Sequence, residues 1–113
     1  MTRVLLVIDV QNEYFPGGLL PLWQPEETET RIVSAITKAR AGGDKVVLVQ
    51  HVSKADSGLF AAGGSGSAIR PAILAAAADA PIVTKQFADA FQDTDLSSYV
   101  ARTDELLICG MMT

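Results

Sequence analysis

Four short apolar runs mark the chain, and polar residues or glycine and proline separate them. Residues 4–8 and 46–49 are continuous β-branched and aliphatic runs, and residues 106–109 form another. Residues 82–83 are a shorter and weaker example. A run that is apolar on both faces is typical of a strand covered on both sides. The pattern therefore predicts the strands of a parallel sheet.

Helical patterns lie between these runs. Pro25 and the glutamates after it suit a helix start, and Gly42-Gly43 suits its end. Residues 68–78 predict a second helix, and residues 95–101 predict a short third one with Thr94 as its cap. The alternation predicts an α/β fold, a Rossmann-like three-layer α/β/α arrangement with right-handed crossovers around a parallel sheet.

The fourth apolar run is followed by only a few residues. Parallel strands need cover on both faces, and residues 110–113 are too few to supply it. We therefore expect bare apolar surface beside this strand. We also expect residues 1–113 to be a single domain that is incomplete at its C-terminus, with the sheet truncated after its fourth strand.

Charge and cysteine content narrow the function classes. The net charge is -4, and no basic cluster is visible, which argues against a nucleic-acid or anionic-membrane partner. The longest early apolar run is too short for a signal peptide or a membrane span. A single cysteine cannot form an internal disulfide, so we expect a cytoplasmic protein.

The candidate chemistry lies where strands end, because that edge of a parallel sheet is where ligands bind. Asp9 ends the first run, where partial burial would favour a general base, although a turn aspartate fits equally well. Lys85 and His51 follow other strands; a solvated lysine and a structural histidine are the simpler interpretations of each alone. Cys109 is better explained as a buried strand residue than as a nucleophile, since no cation adjoins it in sequence.

Several segments together resemble the isochorismatase-like cysteine hydrolase superfamily. They are the strand-to-loop run VIDVQNEYFPGG at residues 7–18, VQH at residues 49–51, VTKQF with AFQDTDL at residues 83–96, and LICGMMT at residues 107–113. They cover nearly the whole chain in the family's order and spacing. Glu13 and Tyr14 stand where the family more often has Asp and Phe.

The resemblance implies a catalytic triad of Asp, Lys and Cys. Asp9 and Lys85 match its first two members, and the cysteine would lie three residues after Thr113. It also implies a cis peptide at Met111–Met112, with amides there contributing to an oxyanion hole. Tyr14, Phe60 and His51 are the expected pocket residues. No cofactor is implied, and family members are commonly homo-oligomers, in line with the bare apolar surface.

The branches of the family differ in their chemistry. Nicotinamidases hold a metal through an aspartate and two histidines between the second and third strands, and this chain has only His51 there, so no metal site is expected. We expect a hydrolase of C–N bonds in small amides. Two alternatives stay open: an isochorismatase-type enol-ether hydrolase, which lacks the cysteine, and a non-catalytic member or fragment that acts in assembly.

Overall fold

Four parallel strands form one sheet in the order β3-β2-β1-β4. The computed structural model describes residues 3–54, 58–101 and 105–111. The strands are β1 (Arg3–Ile8), β2 (Lys45–His51), β3 (Ile82–Lys85) and β4 (Glu105–Gly110). All four coincide with the apolar runs of the sequence, which confirms the predicted parallel α/β fold.

Both α-helices pack on the same face of the sheet. Helix α1 (Pro25–Ala41) and helix α2 (Pro71–Ala77) share a buried core with the alternate positions Leu5, Val7 and Leu48 of the strands. The chain moves in one direction from β1 to β2 to β3, so right-handed crossovers place both helices on one side. The return to β4 then runs over the other face, where Leu96 packs against Val4 and Leu6.

Two predicted helices are shorter than expected. Helix α2 begins at Pro71 rather than residue 68, because Ile69 bridges to Gln11 and the Arg70 amide donates to Val10 O. The predicted helix at residues 95–101 is a single 3-10 turn, Leu96–Ser98. Residues 86–101 contain no α-helix, so the second outer layer is an irregular segment there. Thr94 does act near the start of this turn, since its hydroxyl accepts from the Leu96 amide.

Strand β4 is the bare edge of the sheet. Its residues Leu107 and Ile108 are 42% and 59% exposed, whereas Leu5 and Leu6 of the neighbouring β1 are nearly inaccessible. The expected uncovered apolar surface is therefore present at this strand. In the described part of the chain, neither α-helix combines the length and the apolar character needed to cross a bilayer.

Candidate active site

The strand order reverses between β1 and β4, at the carboxyl edge of the sheet. From β1 the chain leads towards β2 on one side, whereas β4 lies on the other side, so the strand order reverses at this point. Ligands of open parallel sheets bind at such a reversal. Asp9 follows β1 and Met111 follows β4, so both residues lie at this reversal.

Asp9 lies at the centre of this edge. Its φ of 61° is left-handed, which aspartate tolerates better than most residues, and its amide donates to Val49 O at 3.0 Å. The side chain is 13% exposed. Burial raises the pKa of Asp9, and the Lys85 ammonium acts in the opposite direction. Oδ1 is buried and makes no hydrogen bond to the residues described.

Lys85 is buried beside Asp9. It ends β3, its side chain is 3% exposed, and its Nζ lies 3.2 Å from Oδ2 of Asp9. Nζ also lies 3.2 Å from Nδ1 of His51 and donates to Phe87 O at 3.1 Å. A buried ammonium needs this many acceptors to offset its lost hydration. The solvated lysine that the position alone suggests is therefore wrong.

His51 completes a polar cluster with Asp9 and Lys85. It ends β2, which lies between the strands that carry the other two residues. Gln11 holds its backbone on both sides: the His51 amide donates to Gln11 Oε1 at 2.9 Å, and Gln11 Nε2 donates to His51 O at 2.8 Å. The fully buried Gln11 was identified in the sequence only as part of a motif, and its bracing role depends on the fold.

Tyr14 and Phe60 form an aromatic wall next to this cluster. Their ring centroids are 5.3 Å apart in an edge-to-face arrangement, and the Phe60 ring meets the His51 ring at 5.2 Å. Burial, and next the charge of Asp9, raises the pKa of Tyr14 to about 12. The structure thus brings the three predicted pocket residues together beside Asp9.

Glu13 is a buried carboxylate that the sequence showed only as a departure from the family motif. Its Oε2 accepts from the Phe60 amide at 2.7 Å and its Oε1 from the Leu19 amide at 3.1 Å. The Glu13 amide donates to Gly66 O at 2.8 Å. Glu13 therefore ties the loop after β1 to the loop that carries Phe60. An acidic residue in a largely apolar loop is the sequence signal for such a role.

The segment after β4 lies against β1. The Met111 amide donates to Ile8 O at 3.0 Å, so this N–H is already engaged, and the Met111 side chain is buried. The predicted cis peptide and oxyanion donor at Met112 fall outside the described residues. Gly110 has a φ of 151°, and a Cβ there would collide with Ile8 O, so glycine is required at this position.

Cys109 is a strand residue. It pairs in register with Val7, packs partly buried against the helix-side core, and burial raises the pKa of its thiol. A raised pKa leaves little thiolate near neutral pH. These features agree with its structural interpretation.

The chain is similar to known proteins in both sequence and fold. Residues 3–113 match the model of the isochorismatase domain. The chain is 33% identical over 116 residues to YddQ of Bacillus subtilis (strain 168), an uncharacterized isochorismatase family protein; the match covers 100% of this chain. An isochorismatase-type protein of Burkholderia xenovorans LB400, known as a crystal structure, is 40% identical with a TM-score of 0.78 over 88% of this chain.

A third likeness concerns the fold alone. The crystal structure of N-carbamoylsarcosine amidase from Thermoplasma acidophilum matches 97% of this chain with a TM-score of 0.85 at 23% identity, and 68% of that chain is covered. The chain spans 64% of the length of the Bacillus relative and 48% of the Burkholderia protein.

Proposed function

Because this chain belongs to the isochorismatase family, we propose that it contributes Asp9 and Lys85 to the active site of a small-molecule hydrolase. The supporting observation is the unequal surroundings of the two Asp9 oxygens. Oδ2 is held by Lys85, whereas Oδ1 is buried and makes no hydrogen bond within the described part of the chain. A carboxyl group that has one free oxygen and a raised pKa suits a general base near neutral pH.

The proposed reaction is hydrolysis of a C–N bond through a covalent intermediate. A cysteine thiol, which the family resemblance puts three residues beyond Thr113, gives its proton to Oδ1 of Asp9 as its sulfur adds to the amide carbon. Asp9 returns this proton to the leaving amine as the C–N bond breaks, and a thioester forms. Asp9 then takes a proton from water as the water oxygen adds to the thioester carbon. The C–S bond breaks to release the acid, and the departing sulfur takes this proton back from Asp9.

Lys85 acts in this proposal through its fixed charge. Its ammonium is 3.2 Å from Asp9 Oδ2 in a buried site, where screening by water is weak. It opposes the rise in the pKa of Asp9 that burial causes, and so favours the ionised carboxylate that a general base needs. The same charge stabilises a neighbouring thiolate.

The choice of an amide bond is supported by the fold likeness to N-carbamoylsarcosine amidase. The wall of Tyr14 and Phe60 gives the site an apolar side that suits a small organic substrate. The amide of Met112 is the proposed oxyanion donor after β4, since the Met111 amide is engaged by Ile8 O. Neither a metal nor a cofactor takes part in the proposed steps.

The test uses the full-length protein and a panel of small primary and N-substituted amides. We expect an initial burst of amine release, formation of an acyl-enzyme detectable by mass, and loss of activity with iodoacetamide. Asp9→Asn should lower kcat by roughly 100-fold or more, the scale of losing a general base. Asp95→Asn, at an exposed position with no capping hydrogen bond, is the matched control and should leave kcat unchanged.

Two results would contradict the proposal. One is amide turnover by Asp9→Asn within a few-fold of the unaltered protein. The other is the absence of both a burst and an iodoacetamide-sensitive residue with every amide. Enol-ether hydrolysis that iodoacetamide does not affect would point instead to the isochorismatase-type reaction.

A further inference from the structure

The ammonium group of Lys85 has three acceptors for its three protons. They are Oδ2 of Asp9, Nδ1 of His51 and the carbonyl oxygen of Phe87, at 3.1 to 3.2 Å. An ammonium group can donate but cannot accept. Each of these three atoms therefore accepts a hydrogen bond from Lys85, and Nζ has no further N–H to donate to a substrate.

This arrangement determines which nitrogen of His51 carries a proton. Nδ1 accepts from Lys85, so it cannot itself be protonated while the contact exists. A neutral imidazole then has its single proton on Nε2. The pKa of His51 is lowered, first by burial and then by the charge of Lys85, while Asp9 opposes the shift. Both the contact with Lys85 and the lowered pKa favour the neutral form of His51.

The remaining nitrogen of His51 is available. Nε2 makes no hydrogen bond to the residues that the structure describes, and the side chain is partly exposed at the carboxyl edge of the sheet. The ring is held at right angles to Phe60, with an interplanar angle of 82°. Gln11 holds the backbone of His51, and the contacts with Lys85 and Phe60 restrain its ring.

We propose that His51 is a neutral hydrogen-bond donor whose Nε2–H tautomer is fixed by Lys85, and that it binds an acceptor oxygen of the substrate. This role rests on the proposed hydrolase function, and it restricts the substrates to those with an acceptor atom facing His51. The group that meets His51 is a carbonyl, carboxylate or ether oxygen, and an ammonium group, which can only donate, is excluded there. His51 is in this view a substrate-binding residue that orients the amide for attack.

The tautomer is testable without any substrate. His51 is the only histidine in residues 1–113, so nitrogen NMR of protein labelled at histidine, compared with the same spectrum of His51→Gln, identifies the signals of this ring. We expect a protonated Nε2 and an unprotonated Nδ1 at pH 7. In Lys85→Met we expect the preference for this tautomer to weaken, whereas Lys38→Met, at an exposed position, should not change it. A protonated Nδ1 or an imidazolium at pH 7 in the unaltered protein would overturn the proposal.

Substrate binding is tested by a pair of variants. A side-chain amide in His51→Asn can occupy the place of Nδ1 and accept from Lys85, but it lacks the distal donor. The longer amide in His51→Gln can reach the place of Nε2. With the best amide of the panel, we expect about a tenfold rise in KM for His51→Asn, the scale of one lost hydrogen bond, and a smaller rise for His51→Gln. Equal KM values in all three proteins would overturn the binding role.

A direct probe separates this inference from the proposed reaction. Acetamide, which offers an acceptor oxygen, should shift the Nε2–H resonance of the full-length protein, and methylammonium, which only donates, should not. This result does not depend on turnover. A protein that binds acetamide at His51 but hydrolyses no amide keeps the inference and rejects the proposed function. If the protein hydrolyses amides but acetamide leaves this resonance unmoved, the inference is rejected and the proposed function is kept.

Discussion

Lys85 Nζ lies 3.2 Å from Oδ2 of Asp9 although the strands that carry them are not neighbours in the sheet. β2 lies between β1 and β3, and the two side chains meet over its end, where His51 is located. The contact spans 76 positions of sequence, from 9 to 85. Its energetics and its titration can be measured independently of any enzymatic activity.

Removing the lysine should destabilise the fold. Lys85→Met leaves the buried Asp9 carboxylate without its partner, and breaking a buried ion pair costs about 3 kcal/mol or more in the free energy of unfolding. The loss should shrink at low pH, because a protonated Asp9 needs no counter-charge. Chemical denaturation at several pH values measures the free energy of unfolding of Lys85→Met and of the unaltered protein. The double variant Asp9→Asn with Lys85→Met should recover part of the loss, and equal stability of Lys85→Met and Lys38→Met would contradict the argument.

Protonation of His51 should couple stability to pH. Its pKa is lowered in the folded protein, so below about 6.5 the unfolded chain takes up a proton that the folded chain does not. The neutral form of His51 therefore stabilises the fold above this pH. Its contribution to the free energy of unfolding is lost as the pH falls through the lowered pKa of the folded protein. Lys85 opposes protonation of His51, and Asp9 favours it.

The comparison of the unaltered protein with His51→Gln isolates this effect from other titrating groups. As the pH drops below about 6.5, the free energy of unfolding of the unaltered protein should decrease relative to that of His51→Gln. Denaturant titrations from pH 8 to pH 4.5 measure it. A difference that stays constant across this range would show that His51 has the same pKa in both states.

Glu13 and Gly66 should be energetically coupled. A Cβ on Gly66 would collide with the Glu13 carboxylate, so Gly66→Ala should lower the free energy of unfolding by about 1–3 kcal/mol. In a Glu13→Asp background the shorter side chain relieves the collision, and the same alanine should cost less. A double-mutant cycle by thermal or chemical unfolding gives the coupling directly. Additive losses of stability in the two single variants would contradict the coupling. Gly63→Ala, where the added Cβ meets no atom within 4 Å, measures separately the strain of an alanine at a positive φ.

Self-association remains a prediction, and the loop before α1 offers a place to test it. Trp23 is 84% exposed and Leu19 is 64% exposed, an unusual display of large apolar side chains. We expect a homo-oligomer in solution that Trp23→Ser with Leu19→Ser weakens. Size-exclusion chromatography with light scattering measures the mass of each, with Phe91→Ser, at a separate exposed site, as control. A monomeric unaltered protein would refute the prediction.

Much of the fold could be read from local pattern. Apolar runs predicted the strands, and Pro25 with Gly42 predicted the bounds of α1 to within one residue, because periodicity and terminal residues act over a few positions. The same local rules overestimated α2. They could not show that Ile69 and Arg70 pair with the loop after β1 and are therefore held outside the helix.

The sequence by itself determined a parallel α/β sheet, its strands, and the edge at which Asp9, His51 and Lys85 had to lie. The strand-end positions marked Asp9 and Lys85 as candidates, and only the resemblance to a family favoured a catalytic role over a turn aspartate and a solvated lysine. Tertiary structure alone decided that Lys85 is buried against Asp9, that Nδ1 of His51 lies 3.2 Å from the same ammonium, and that Glu13 holds Phe60 in place. The reason is physical: alternation and capping are local, whereas burial and charge pairing depend on strand order, which joins residues far apart in sequence.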